Sequence, residues 1–324
     1  MVDPKTILIV QIGKLGDMIL TTPLFKEIKK LFPDSVLSVL ASNSNMIIAE
    51  NDPYVDNVLV YEKNILSYPK LFLTGIRNMD LWIDTKNNFS RTSAFLLKLF
   101  NPGLSIGYNF KKPVFNIDLK KYQNGEHATE INLSPLLYFK ENSLTLDKTP
   151  EIEIPEIVKF KFDALFKENS GFKNIIVNIS AGDENRYLQK EKWVEVIKKI
   201  ADNNRYAVYL IGLEKDKGII DFILINTKNL NTGYIKTENI IETAEVIRKS
   251  DLVISPDTSV IHICSAFNIP VIGIYPDVKW NLEKFYPMSV FREVIVSGNK
   301  NDIGDVKSDQ IINSFDQIIR KILW

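Results

Sequence analysis

The feature that most limits what this chain can become is an alternation of unbroken apolar runs with helical stretches, and it runs twice. Ile7-Leu8-Ile9-Val10-Gln11-Ile12 opens the first pass. A continuous aliphatic run lacks the in-out alternation of a half-exposed strand, so it predicts a strand covered on both faces. Residues 36–40, 57–61 and 81–84 repeat the theme with helical stretches between them, and shorter strand candidates lie at 105–108 and 114–117. A helix is expected over 18–32, where Pro23 must either occupy a first turn or kink it. Another is expected over 127–140. Residues 141–155 are polar, carry Pro150 and Pro155, and lack helical periodicity, which marks a linker.

The alternation then restarts. Strands are expected at 174–179, 206–211, 251–254 and 271–275, with helices over 160–167, 191–201, 217–226, 237–249 and 260–267. An amphipathic helix over 311–324 closes the chain and is free to pack back on the first half. Strands separated by helices imply mainly parallel sheets wrapped on both faces. The fold class expected is α/β, with two Rossmann-like domains, 1–150 and 151–324, whose parallel sheets face each other across a cleft.

Composition narrows the function classes. Across 324 residues the formal net charge is zero, so there is no global electrostatic case for binding nucleic acid. The single cysteine, Cys264, excludes an internal disulfide framework and suits a reducing compartment. No apolar run reaches the roughly 18–20 residues that cross a bilayer, and the chain opens on a strand rather than a signal peptide. A cytoplasmic protein is expected, with peripheral contact at the inner membrane surface still compatible because that needs no spanning segment.

The stretch Ser255-Pro256-Asp257-Thr258-Ser259-Val260-Ile261-His262 lies between an apolar strand and a short helix that Asn268 and Pro270 end. A helix start at the carboxyl end of a strand offers free N–H groups and a positive dipole end, which suits a phosphate or pyrophosphate. In the first half, Gly13-Lys14-Leu15-Gly16-Asp17 turns the chain in the same topological place. Asp17 there has two readings. It can serve as a general base, worth about 10²–10⁴-fold in rate, or it can cap the helix start, worth about 0.5–2 kcal/mol. No Asp-x-Asp pair occurs, so the usual sequence hint of a metal–diphosphate bridge is missing and no metal or cofactor is expected. Arg186, in the polar loop 180–189, is the cation placed to meet such an anion by bidentate contact.

Together these residues resemble a known family. Gly13-Lys14-Leu15-Gly16-Asp17-Met18-Ile19-Leu20-Thr21-Thr22-Pro23 looks like the amino-terminal signature of the lipopolysaccharide heptosyltransferases, glycosyltransferase family nine. The Ser255 to His262 stretch, with Ala266, Pro270 and Tyr275-Pro276, resembles the carboxyl-terminal signature. Leu81-Trp82-Ile83-Asp84 through Ser93-Ala94 is similar to the middle segment, and Arg186-Tyr187-Leu188 to a basic-aromatic element. The resemblance implies a GT-B fold with the acceptor on the first domain and the donor nucleotide on the second. It implies inverting, metal-independent transfer of a heptose from an ADP-sugar to a lipopolysaccharide core acceptor.

Carried over residue by residue, the resemblance makes Asp17 and Arg186 catalytic. It puts the donor at Gly16, Ser180, Gly212, Glu214, Thr232, Gly233, Asp257, Thr258, Ser259, Val260 and His262; the acceptor candidates are Lys14 and Asp84, with Lys111 and Lys112 of a basic cluster that could meet a phosphorylated acceptor or a membrane surface. Serine at 259 departs from the glycine of many relatives and restricts the backbone there. His262 reads equally well as a buried residue under the site, and the cluster of Lys111, Lys112, Lys120 and Lys121 as a solvated face. Three rival functions stay open. A nicotinamide-dependent dehydrogenase is opposed by Gly-x-x-Gly-Asp in place of Gly-x-Gly-x-x-Gly, and by the lack of an acid after Ala41-Ser42-Asn43. The others are a non-catalytic nucleotide-sugar or glycan-binding protein and a transferase using another nucleotide sugar.

Overall fold

The aliphatic runs form strands because branched side chains fit a pleated surface buried on both faces. In the computed structural model, which describes residues 3–62, 79–87, 90–110, 113–139, 145–168 and 171–322, the chain divides into two units, Met1–Glu153 and Ile154–Trp324. Unit one holds β1 (Thr6–Gln11), β2 (Val36–Ala41), β3 (Asn57–Val60), β4 (Leu81–Asp84), β5 (Leu104–Gly107) and β6 (Ile117–Asp118). They form one parallel sheet in the order β3-β2-β1-β4-β5-β6.

Unit two holds β7 (Lys173–Asn178), β8 (Tyr206–Ile211), β9 (Thr232–Tyr234), β10 (Leu252–Pro256), β11 (Val271–Tyr275) and β12 (Arg292–Val296). Its parallel sheet runs β12-β11-β10-β7-β8-β9. Counted from each unit's own first strand, the two orders are identical. Strand order reverses between β1 and β4 in one sheet and between β7 and β10 in the other. Loops leaving the two strands at such a point diverge, and ligands bind in the crevice beyond the carboxyl ends. The topology therefore marks the crevice of each unit where a ligand would bind.

The cores follow from the same strands. In unit one, Leu8, Val10, Leu40 and Trp82 pack against Leu96 and Phe100, with the Trp82 and Phe100 rings stacked at 6.0 Å. In unit two, Trp193 and Ile197 meet Ile175, Val208 and Ile254. The closing helix, Ser308–Ile322, sends Ile311, Phe315 and Ile318 into this second core, and Phe315 meets Tyr206 edge-on at 5.3 Å. Burying each such side chain stabilises by about 1.5–3 kcal/mol, so the apolar face of that helix is spent within its own unit.

Some local expectations change. The helix expected over 18–32 is two helices, Leu15–Ile19 and Thr22–Leu31, with Pro23 in the first turn of the second. Proline costs nothing there, because its missing N–H is one the helix start leaves unpaired anyway. The strand expected over 114–117 shrinks to Ile117–Asp118 because the Asn109 amide oxygen takes the N–H groups of Val114 and Phe115 at 2.7 and 2.9 Å. Around the expected linker, residue 151 is fastened rather than loose. The Glu151 N–H donates to Thr22 Oγ1 at 2.8 Å, and Lys26 pairs with Asp147 at 3.0 Å and with Glu151. β9 and β12 carry too little apolar pattern to be read in advance. Both are edge strands, where one side is solvated.

Candidate functional site

In unit one the turn after β1 is held from several sides. Asn45 Nδ2 donates to the Gln11 carbonyl at 2.9 Å, and Ser42 Oγ to the Gly13 carbonyl at 3.1 Å. Gln11 Nε2 donates to Thr21 Oγ1 at 2.8 Å, and that hydroxyl donates to the Asp17 carbonyl at 2.7 Å. Asn132 Nδ2 donates to the Leu20 carbonyl at 2.9 Å. Asp17 lies in the first turn of the five-residue helix Leu15–Ile19, and its Oδ2 accepts the Lys14 N–H at 3.2 Å. It is thus not the residue that starts the helix but the one reaching back to it, as a capping-box acid does. Gly13 makes room for this, since a Cβ there would stand 3.0 Å from Gln11 Oε1 and 3.2 Å from Asp17 Oδ2. Asp17 and Gly16 are half-buried and Lys14 is exposed.

Asp84 ends β4 directly opposite Val10 of β1, on the other side of the strand-order reversal. It is buried, and its Oδ1 accepts the Lys86 N–H at 3.0 Å. Burial pushes its pKa above the ordinary carboxylate value, against the opposing pull of hydrogen bonds from Ser93 and Lys86. Its carboxyl helps line a cavity of about 120 Å³ with Gln11, Ile12, Tyr61, Ser90 and Thr92. Lys111 and Lys112 lie outside the described residues. Lys120 sits 4.9 Å over the Phe110 ring, and it and Lys121 are exposed on a short 3₁₀ turn.

In unit two the site is knitted from four segments. Asn178, at the end of β7, is buried, and its Nδ2 lies 3.1 Å from the Ser180 carbonyl, 3.0 Å from Ser255 Oγ and 3.2 Å from Thr258 Oγ1. That one amide ties the loop after β7 to the stretch after β10. Thr258 caps the helix Ser259–Phe267, its hydroxyl accepting the Val260 N–H at 3.3 Å. Ser259 is the first helical residue. His262 is buried one turn on, its ring centroid 5.8 Å from that of Phe285. Cys264 is a core residue whose thiol pKa is raised by burial.

Arg186 closes on Asp257. Nη1 donates to the Asp257 carbonyl at 2.6 Å, and Nη2 stands 3.1 Å from its Oδ2. The Asp257 side chain is 3% exposed and that of Arg186 24%, so the guanidinium is the solvent-facing partner. Asn281 Nδ2 donates to the same Asp257 Oδ2 at 2.7 Å.

The loop carrying Arg186 is itself clamped. Ser180 Oγ donates to Asp216 and accepts the Leu213 N–H at 2.8 Å. The Tyr187 hydroxyl lies 3.0 Å from Asp216 Oδ2 and 2.9 Å from the Ala181 carbonyl. Gly212 is required here, because a Cβ would stand 2.8 Å from Ser180 Oγ. Glu214 points to solvent, 4.0 Å from Lys236. Thr232 opens the edge strand β9 and bonds back to the Thr227 carbonyl at 3.2 Å, while Gly233 lies against the Tyr209 ring.

The structure ties Ser180 to Thr258 through Asn178, and sets Arg186 on Asp257, the residue just before Thr258. It adds Asn178, Asp216 and Asn281, none of which the sequence singled out, and gives Tyr187, read only as part of the basic-aromatic element, a place against Asp216 and Ala181. A polar residue inside the aliphatic run of β7 was the available signal for Asn178. Nothing in the chain's pattern marks Asn281. Among the described residues, no cluster of three or more His, Cys, Asp or Glu side chains could hold a metal ion, and no helix is long and apolar enough to cross a membrane.

Comparison with known proteins fits this geometry. Residues 74–311 match the model of glycosyltransferase family 9 (heptosyltransferase). The lipopolysaccharide heptosyltransferase 1 of Campylobacter coli is 24% identical over 299 residues, which cover 83% of each chain. The crystal structure of a family 9 glycosyltransferase from Veillonella parvula superposes with a TM-score of 0.85 at 16% identity, covering 99% of both chains. The E. coli heptosyltransferase WaaC, solved with ADP, superposes with a TM-score of 0.74 at 16% identity, covering 97% of this chain and 99% of that one. Two all-parallel sheets on this pattern match the GT-B architecture of the E. coli heptosyltransferase.

Proposed function

Because the chain belongs to glycosyltransferase family 9 and is a glycosyltransferase, we propose that it moves a heptose from an ADP-sugar to a lipopolysaccharide core or related glycan acceptor, inverting the anomeric carbon without a metal. The observation that carries the reading is the Arg186–Asp257 pair beside the capped helix of unit two. A cation and a carboxylate at a strand-order reversal suit a donor with an anionic leaving group and a hydroxyl-rich sugar.

In this reading unit two holds the donor and unit one the acceptor. Asp17 takes the proton of the attacking acceptor hydroxyl. The new bond forms from that oxygen to the anomeric carbon as the bond to the diphosphate oxygen breaks. The electron pair leaves with the diphosphate, whose growing charge Arg186 and the start of the helix Ser259–Phe267 offset. Asp257 accepts hydrogen bonds from the sugar, since a carboxylate beside phosphate would repel it. Asp17 suits its task because the single bond from the Lys14 N–H holds its direction without burying it. Work on a glycolipid acceptor would take place at the cytoplasmic face of the inner membrane, with the protein as a peripheral visitor.

The test is a thermal-shift and calorimetric panel of ADP, UDP, GDP and NADH, followed by a transfer assay with ADP-heptose and a lipopolysaccharide core acceptor. Selective stabilisation by ADP, with transfer, is expected. Selective stabilisation by UDP or GDP would move the donor to another nucleotide sugar, and by NADH would end the transferase reading of the site.

A further inference from the structure

Asn281 is 3% exposed, although it sits on the short helix Lys279–Phe285, whose neighbouring Trp280 is 64% exposed. A buried amide is costly unless its donors and acceptor are satisfied. Here the amide points at one atom, donating from Nδ2 to Asp257 Oδ2 at 2.7 Å. Arg186 Nη2 reaches the same oxygen at 3.1 Å from the opposite segment, the loop after β7. Asp257 is therefore gripped from two directions by donors of different kinds. One is a half-accessible cation and the other a neutral, buried amide.

The two grips differ in what they can do during a reaction cycle. Arg186 is the solvent-facing partner, and a diphosphate entering the site competes with Asp257 for its guanidinium. Any turn of Arg186 toward phosphate removes a donor from Asp257 Oδ2. The amide of Asn281 carries no charge that phosphate would attract, and its helix follows β11 directly, so it stays. We propose that Asn281 is a positioning residue for the donor sugar: it keeps the Asp257 carboxylate in its sugar-facing orientation while Arg186 engages the leaving group. The inference rests on the reading of Asp257 as a sugar contact given above. A leucine or an ionised aspartate of similar size at 281 would fill the space but would not donate.

The test separates this role from simple packing. ADP and ADP-heptose are titrated calorimetrically into wild type, Asn281→Ala and Asn281→Asp between pH 5 and pH 8. Asn281→Ala is expected to weaken ADP-heptose about tenfold or more, the usual cost of losing a hydrogen bond to a charged group, and to leave ADP within about twofold because ADP lacks the sugar. Asn281→Asp sets two carboxyls side by side, which raises one of their pKa values. Relative to wild type at each pH, its ADP-heptose affinity should be poor at pH 8 and recover toward pH 5, as the introduced carboxyl gains a proton and donates again. Equal loss of ADP and ADP-heptose affinity in Asn281→Ala, or no acid-side recovery in Asn281→Asp, overturns the positioning role. A wild type that binds neither ligand overturns instead the proposed function beneath it.

Discussion

The two units share one strand order, yet they hold their key carboxylates in opposite ways. Asp17 sits half-buried on a five-residue helix, with its Oδ2 taking one backbone N–H at 3.2 Å. Asp257 is buried, with Asn281 and Arg186 on one oxygen and Arg186 also on its carbonyl. The same crevice of the same sheet topology thus carries a lightly held carboxylate in one unit and a clamped one in the other. A group that must accept a proton needs access and a modest preference for its charge. A group that must orient a ligand needs a single fixed direction. The contrast teaches that duplicated topology decides where a site lies, while local hydrogen bonding decides what it does.

The largest effect should come from the lightly held side. Asp17→Asn keeps the shape and the acceptor for the Lys14 N–H but removes the proposed base, so turnover should fall by two or more orders of magnitude, with donor affinity by calorimetry nearly unchanged. Near-normal turnover would remove Asp17 as the base and erase the contrast. On the clamped side, Arg186→Ala should weaken binding of the nucleotide diphosphate by about 1.5–3 kcal/mol. An unchanged titration curve would confine Arg186 to holding Asp257.

Asn178→Ala probes the knitting rather than the chemistry. Its buried amide serves Ser180, Ser255 and Thr258, so its loss should lower unfolding free energy by about 1–3 kcal/mol in urea titration. A change inside a few tenths would show that the loops hold without it. The smallest effect is expected at Asp84, whose pKa burial raises in the folded state. A raised carboxyl binds its proton more tightly folded than unfolded. Its contribution to stability is therefore whole below the ordinary carboxylate pKa and is lost as pH rises through the folded value. Asp84→Asn should remove that downward slope from a plot of unfolding free energy against pH. An unaltered slope would mean that the buried carboxyl does not titrate in the window.

Much of the fold was legible because burial on both faces leaves a mark in one dimension. Unbroken apolar runs such as 7–10 and 206–211 can hardly be anything but central strands. β9 and β12, edge strands whose residues are mostly half-buried, were not read in advance. Pro23 left a helix start and a kink both open, and the break before it, where Thr21 bonds back to the Asp17 carbonyl, was not readable from spacing. Asp17 and Asp257 stood out as acids in the turns that follow apolar strands, and Arg186 as the cation of the polar loop 180–189. Asn281 did not, because nothing about an asparagine near a proline-containing loop says which carboxylate it will meet.

By itself, the order of apolar and polar residues determined two α/β units with parallel sheets and placed candidate carboxylates after β1 and β10. Those are properties of periodicity and of local turn chemistry, which act over a few residues. Tertiary structure alone decided that Arg186 and Asn281, 95 positions apart, converge on one oxygen of Asp257. It also decided that Asp17 reaches back to the Lys14 N–H while Asp84 is sealed in. Such contacts depend on which strands become neighbours, and that is settled by the packing of the whole sheet rather than by any stretch of the chain.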